Sequence, residues 1–91
     1  MKILWTSKAQ SDLGRLYAFL APLNPSAAAR AMAQLYAAPE KLFANPRIGE
    51  QLTGFGNREV RRILVGKYEL RYEIRDSAIA IIRVRHTREQ L

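Results

Sequence analysis

Arginine is threaded through the stretch from Arg58 to Arg88, which reads REVRRILVGKYELRYEIRDSAIAIIRVRHTR. The guanidinium is always charged, and its planar fork of donors matches the oxygens of a phosphate or a carboxylate. Repeated along segments of strand-like alternation, such a group has three uses. It can serve phosphate chemistry, dock an acidic partner, or keep a sheet soluble.

Other chemistries are narrowed by composition. The chain has no cysteine, which excludes disulfides and thiolate metal sites, and its single histidine argues against a protein-built zinc site. No metal and no cofactor are expected. Gly54-Phe55-Gly56 is not a phosphate loop, because no lysine or helix start follows at the required spacing. The 15 Lys+Arg against 8 Asp+Glu give a net charge of +7, which favours nucleic acid, an anionic surface or an acidic protein as partner. The surplus is densest at 41–67, where six basic residues meet two acidic ones.

The elements that must position these arginines follow from the pattern. With 91 residues, 48% hydrophobic and 25% charged, the chain is expected to form one domain, 1–91, around a single core. Residues 2–6 predict a short strand. Ser7 with Gln10 three positions on marks a helix start, and Ala9, Leu13, Leu16, Tyr17 and Leu20 recur at helical spacing up to Pro22. Asn24-Pro25 caps a second, alanine-rich helix with Met32, Leu35, Tyr36, Leu42 and Phe43. Pro39 should kink or divide that helix, and Asn45-Pro46 stops it. Residues 46–57, with one proline, three glycines and one asparagine, predict a loop. Three strands follow at roughly 58–65, 68–75 and 78–85, joined at Gly66-Lys67 and Asp76-Ser77. The fold class is therefore α+β: a strand, a two-helix hairpin, then a three-stranded antiparallel meander, with the helices packed on one sheet face. The opening MKILWTSKAQ is interrupted by Lys8 and, just beyond it, Asp12, and no apolar run reaches the roughly 18 residues that span a bilayer. A cytoplasmic location without membrane attachment is expected.

Two-residue turns fix the pairing. Val65 should oppose Tyr68, Ile63 oppose Leu70, Arg61 oppose Tyr72 and Arg62 oppose Arg71. Across the second turn, Tyr72 should oppose Ile81, Leu70 oppose Arg83, and Arg71 oppose Ile82. One face then collects Ile63, Val65, Tyr68, Leu70, Tyr72, Ile74, Ile79 and Ile81 as the core face, with Arg61, Arg83 and Arg85 at its margins. The other carries Arg62, Arg71, Arg75, Glu69 and Glu73 beside Ala80, Ile82, Val84 and His86. Arg62 opposite Arg71 is a like-charged pair that an anion or carboxylate would relieve. Glu69 or Glu73 could neutralise it diagonally. Ile82, Val84, Leu64 and Val60 would form an apolar stripe bordered by charge, which suits a partner-binding groove. The tyrosines are not clustered on one exposed face, so they read as core rim rather than a base-stacking platform.

The order of elements, the VRRILVGKYELRY stretch and the closing RVRHTR resemble the RelE/ParE superfamily of bacterial toxins, over nearly the whole chain. The resemblance implies the toxin half of a type II toxin–antitoxin pair, with growth inhibition, plasmid stabilisation and a cognate antitoxin as protein partner in a hetero-oligomer. One branch is similar to ribosome-dependent messenger-RNA endonucleases. That chemistry needs a base near the 2′-OH, positive charge on the phosphate oxygens and an acid for the leaving group. Glu50, Arg61-Arg62 and His86 match parts of one such set. Thr53 stands where that set has a lysine, Glu69 where it has an arginine, and Thr87 where it has a tyrosine. The closing His-Thr-Arg is closer to the ParE branch, described as inhibiting DNA gyrase without catalysis. The expected activity is thus a ParE-like toxin that binds gyrase, with Arg58, Arg61, Arg62, Arg71, Arg83 and Arg85 contacting its partner and no catalytic residue. The alternative is a nuclease that acts with ribosome and mRNA through Glu50, Arg62 and His86. A basic nucleic-acid-binding module is a third reading, without an aromatic platform or recognition-helix pattern to support it.

Overall fold

Thr6 starts the first helix: its side-chain oxygen accepts from the Ala9 amide at 3.2 Å, a cap that contributes about 1 kcal/mol. The expected cap at Ser7 is thus displaced by one residue, since the threonine already holds the extended conformation that a cap requires. The computed structural model describes residues 1–90, with side chains to Arg88; Leu91 lies outside the described residues.

Strand β1 (Lys2–Trp5) leads into α1 (Ser7–Leu20) and α2 (Pro25–Ala37). Asn24 caps α2, accepting from the Ala27 amide at 3.1 Å, and Pro25 occupies the first turn. As expected from Pro39, the helix divides there: a 3-10 turn, Ala38–Glu40, separates α2 from α3 (Lys41–Ala44). Then come β2 (Glu50–Gln51), β3 (Glu59–Val65), β4 (Tyr68–Ile74) and β5 (Ala78–His86), and a 3-10 turn, Thr87–Gln90. The expected loop therefore contains a two-residue edge strand, too short for a sequence period to reveal.

The five strands run in the order β1-β5-β4-β3-β2. The β1–β5 pairing is parallel and the others are antiparallel, so the sheet is mixed. The β3–β4 register is the expected one throughout, with Val65 opposite Tyr68 and Arg62 opposite Arg71. Gly66 turns this hairpin at φ +58°, while Lys67 keeps a negative φ, the pattern of a type II′ turn.

The β4–β5 register is as expected from Ile74↔Ile79 to Tyr72↔Ile81 and then shifts by one residue between Arg71 and Tyr72. Beyond this bulge Arg71 stands opposite Arg83, not Ile82, and Leu70 opposite Val84, not Arg83. A bulge of one residue exchanges the faces of everything that follows. Val84 joins the core beside Leu70, and Arg83 and Arg85 move to the face of Arg71 and Glu69. His86 comes to lie opposite Tyr68 at the core margin. The predicted apolar stripe is broken up accordingly. Val84 is core, Val60 is fully buried, Ile82 is half-buried, and only Leu64 stays well exposed, at 61%.

The core packs Leu13, Leu35, Leu42, Leu70, Tyr72, Ile79, Ile81 and Val84, flanked by Ile63, Val65, Tyr68 and Ile74. Each fully buried leucine or isoleucine contributes about 1.5–3 kcal/mol relative to exposure. Helices α1 and α2 cover this one face of the sheet. No helix among the described residues is long and apolar enough to cross a membrane.

Candidate functional site

The register sets Arg62, Arg71 and Arg83 side by side across β3, β4 and β5. Three guanidiniums in a row repel unless anions lie among them. Glu69, two residues from Arg71 and therefore on its face, supplies one such anion. Its Oε2 accepts from Arg62 Nη1 at 2.8 Å and its Oε1 from Arg71 Nε at 3.0 Å. The Glu69 side chain is 0% exposed, and Arg62 and Arg71 are partly covered. Arg62 also donates from Nε to Glu50 Oε1 at 2.7 Å across the β2–β3 pair. Bonding to Glu69 and then to Glu50 raises the Arg62 pKa further, so its charge is fixed.

The same arrangement recurs. Glu73 accepts two bonds from Arg58, at 2.9 and 3.1 Å, and one from Arg75 at 3.0 Å. Its carboxyl is held below the usual range, chiefly by Arg58 and against the effect of burial. Glu59 accepts a bidentate pair from Arg47, both bonds at 2.9 Å, and one bond from Arg61 at 2.8 Å; Arg47 and then Arg61 lower its pKa. Asp12, buried on α1, accepts from Arg83 Nε at 2.9 Å, from Arg15 and from the Val84 amide at 2.9 Å. Burial alone would push the Asp12 carboxyl up; Arg83, the Val84 amide and Arg15 together bring it below its ordinary value. Each of these four carboxylates lies between two arginines. The clusters around Glu73, Glu59 and Asp12 each keep one net positive charge, whereas Glu50 on Arg62 balances the one around Glu69; in all four the fork donors are already oriented by the shared acid.

The sequence-predicted partner residues can now be placed. Arg58, Arg62, Arg71 and Arg83 line the outer face, each anchored to a carboxylate. Arg85 stands opposite Glu69 in the β4–β5 register. Arg61 belongs elsewhere: its side chain is only 15% exposed and is occupied by Glu59 and by the Gly49 carbonyl at 2.7 Å. It clamps the 46–51 segment rather than facing outward. Tyr72 does the same from below, donating to the Pro46 carbonyl at 2.7 Å and accepting from the Gly49 amide at 3.0 Å. Burial raises the Tyr72 pKa, so the hydroxyl stays protonated and keeps its donor.

Of the nuclease set, the fold brings Glu50 and Arg62 into contact and leaves His86 apart. His86 lies three residues beyond Arg83 on β5, about 10 Å along the strand, and on the other face of the sheet. Its ring meets Tyr68 edge-on at 5.4 Å, and its Nδ1 accepts from the Arg88 amide at 3.1 Å. When neutral it therefore carries its proton on Nε2. Among the described residues no group of three or more acidic or histidine side chains is placed to hold a metal ion.

Two residues that hold the site's geometry escaped the sequence reading. Asp12 left a signal, a charge amid the helical stripe of Ala9, Leu13 and Leu16, which marks a buried carboxylate with partners to find. Gly49 left none. A Cβ there would sit 2.5 Å from the Arg62 carbonyl oxygen and 2.7 Å from the Tyr72 hydroxyl.

Comparison with known proteins agrees with this architecture. Over 85 residues, 93% of each chain, the sequence is 31% identical to Toxin RelE2 of Caulobacter vibrioides. The fold is similar to that of a chain in the chromosomal ParDE toxin–antitoxin system from P. aeruginosa, with a TM-score of 0.80, 24% identity and coverage of 94% and 95% of the two chains. It is also similar to a chain of the toxin–antitoxin complex RelBE2 from Mycobacterium tuberculosis, with a TM-score of 0.58, 24% identity and coverage of 93% and 95%. The family model described as ParE toxin of type II toxin-antitoxin system, parDE, matches residues 3–91. On that match and that kinship, the chain belongs to the ParE toxin family, within the RelE/ParE superfamily of type II toxin–antitoxin toxins.

Proposed function

We propose that this toxin acts by binding, with DNA gyrase as its target, and that its cognate antitoxin neutralises it. The observation that carries the reading is Glu69. It is buried between Arg62 and Arg71, at the position where the nuclease set has a phosphate-stabilising arginine. A carboxylate there opposes an incoming phosphate and cancels the charge that would stabilise its transition state. The separation of His86 from Glu50 and Arg62 points the same way, since an acid and a base must reach the same phosphate. Arg58, Arg62, Arg71, Arg83 and Arg85 are the partner contacts in this reading, with Arg61 acting from behind by holding the 46–51 segment. Membership of the ParE family supports it.

A second reading, a ribosome-dependent endoribonuclease, draws on the similarity to Toxin RelE2 and on the Glu50–Arg62 contact at 2.7 Å. Inducible expression separates the two. The binding reading expects a DNA-damage response and filamentation while messages stay intact. Rapid arrest of translation with cleaved messenger RNA as the first effect would sink it.

A further inference from the structure

Glu59 at the start of β3 stands opposite Ile74 at the end of β4, so a cavity of about 650 Å³ beside them lies at one end of the sheet. Arg58, Arg75 and, from the segment after α3, Arg47 line it, together with Glu59, Glu73 and Asp76. The clusters built on Glu59 and on Glu73, each of which keeps a positive charge, thus share one space. Within it the charges are layered. The Glu73 and Glu59 side chains are 10% and 23% exposed, whereas those of Arg47, Arg58 and Arg75 are about half exposed or more. An incoming anion meets guanidinium before carboxylate. At the centre of the sheet the order is reversed: Arg62 and Arg71 are largely covered, and the exposed group is the Glu50 carboxylate.

Donors remain for a ligand. Arg47 and Arg58 use Nε and Nη2 on their acids, and Arg75 uses Nε alone. Among the described residues, Nη1 of Arg47 and of Arg58 and both Nη groups of Arg75 have no acceptor. The acids already hold these forks in place, so seating an anion orders little more. A planar carboxylate satisfies one fork, whereas a phosphate can present oxygens to several forks from different sides. Counting Arg61 behind Glu59, four guanidiniums meet three carboxylates here, and the chain as a whole carries +7, so the field also favours an anion. No aromatic residue lines the cavity, which leaves an unpaired base nothing to stack on. A duplex backbone needs no such platform, because its phosphates are held by cationic donors without reading of sequence.

We propose that the cavity between Arg47, Arg58 and Arg75 binds phosphate groups of a duplex DNA backbone, independently of sequence. The site stands on this geometry and goes beyond the target reading above: it gives the toxin a contact with nucleic acid besides its protein target.

The test is fluorescence anisotropy of a labelled, mixed-sequence DNA duplex of roughly 20 base pairs, titrated with the full-length chain over a range of salt. The double variant Arg47→Gln/Arg75→Gln removes two of the three forks and leaves each acid one arginine, Arg61 for Glu59 and Arg58 for Glu73, so the fold should persist. Lys8→Gln/Arg30→Gln removes the same charge from exposed positions on α1 and α2. The cavity variant should bind about 10-fold or more weakly at about 50 mM salt, and its slope of log K against log salt should fall by about 2. The helix variant should stay within about 3-fold of wild type with its slope unchanged. If melting curves show the cavity variant unfolded, Arg75→Gln alone carries the test, with a slope change of about 1. Equal loss in the cavity and helix variants overturns the proposal, because net charge alone would then hold the DNA. So does a wild-type chain that binds no duplex, that binds inorganic phosphate but no duplex, or that binds polyglutamate of equal charge as tightly. No arm contains gyrase, so each of these failures leaves the target reading standing.

Discussion

Arg62 Nη1 donates to Glu69 Oε2 at 2.8 Å, and the Glu69 side chain has no solvent exposure. A buried charge is tolerated only when its oxygens are occupied by opposite charge. Here Arg62 takes one oxygen and Arg71 the other. The pair of arginines that would repel across β3 and β4 becomes an attraction through the shared acid. Glu69→Gln keeps the shape and removes the charge. It should destabilise the fold by about 2 kcal/mol, the worth of a charged hydrogen bond. In a chain of this size that lowers the melting temperature by roughly 10 °C. A melting temperature within about 2 °C of wild type would contradict the role given to this carboxylate.

Acid should unfold the protein through its arginine-clamped carboxylates. Asp12, Glu59 and Glu73 all have folded pKa values below the ordinary values of 3.8 for aspartate and 4.5 for glutamate. A depressed folded value means that the unfolded chain binds protons first. The stabilisation is therefore complete above about pH 4.5 and is lost as the pH falls through the folded values. Urea midpoints measured from about pH 7 down to about pH 3 should be level at first and then fall. A midpoint that rises on acidification would show the opposite sign and refute the clamps.

Alanine at Glu50 and at His86 distinguishes binding from catalysis. Glu50 is well exposed, and its bond to Arg62 contributes at most about 1 kcal/mol, so the fold should persist. A toxin acting by binding through the outer arginines should inhibit growth nearly as well as wild type in both variants. A nuclease deprived of its base or acid should lose about 100-fold or more of its cleavage rate. Growth inhibition abolished by both substitutions, with folding intact, would return the nuclease to first place.

The legible and illegible parts of this fold divide on physical grounds. The β3–β4 hairpin was readable because Gly66 fixes the turn and alternation fixes the faces. Pro39 was readable because a missing amide has only one consequence inside a helix. The bulge opposite Arg71 was not, because Ile81 and Ile82 are both apolar and period-two alternation fits either register. That one residue misplaced Arg83, Val84, Arg85 and His86 together. It is also what separates His86 from Arg62. The carboxylate between Arg62 and Arg71 was visible as a diagonal neighbour, but its burial depends on tertiary packing. Asp12 pairs with residues some 70 positions away, which no local pattern encodes.

The segment carrying Glu50 is set against the sheet by contacts that the sequence does not advertise, and they can be tested one at a time. Gly49 lets the backbone pass under the Arg62 carbonyl and the Tyr72 hydroxyl. In Gly49→Ala the added Cβ meets the Arg62 carbonyl oxygen at 2.5 Å, where a rigid strand cannot retreat. The segment must lift, breaking the Tyr72 and Arg61 bonds and the two-residue pairing of β2 with β3. Tyr72→Phe removes the hydroxyl without adding bulk and leaves the Pro46 carbonyl and Gly49 amide unpaired, at about 1–3 kcal/mol. Both variants should expose the Leu52 amide, which bonds to the Val60 carbonyl at 2.8 Å, to faster hydrogen exchange. The Val84 amide, held by Asp12 on the far side of the sheet, should keep its protection relative to the global unfolding free energy. If Leu52 exchange is unchanged in Gly49→Ala, the backbone has room that the close approach denies, and the clamp on Glu50 is not built as described. If Leu52 and Val84 accelerate together and in proportion to lost stability, the segment opens only with the whole fold, and the locality of the clamp is disproved.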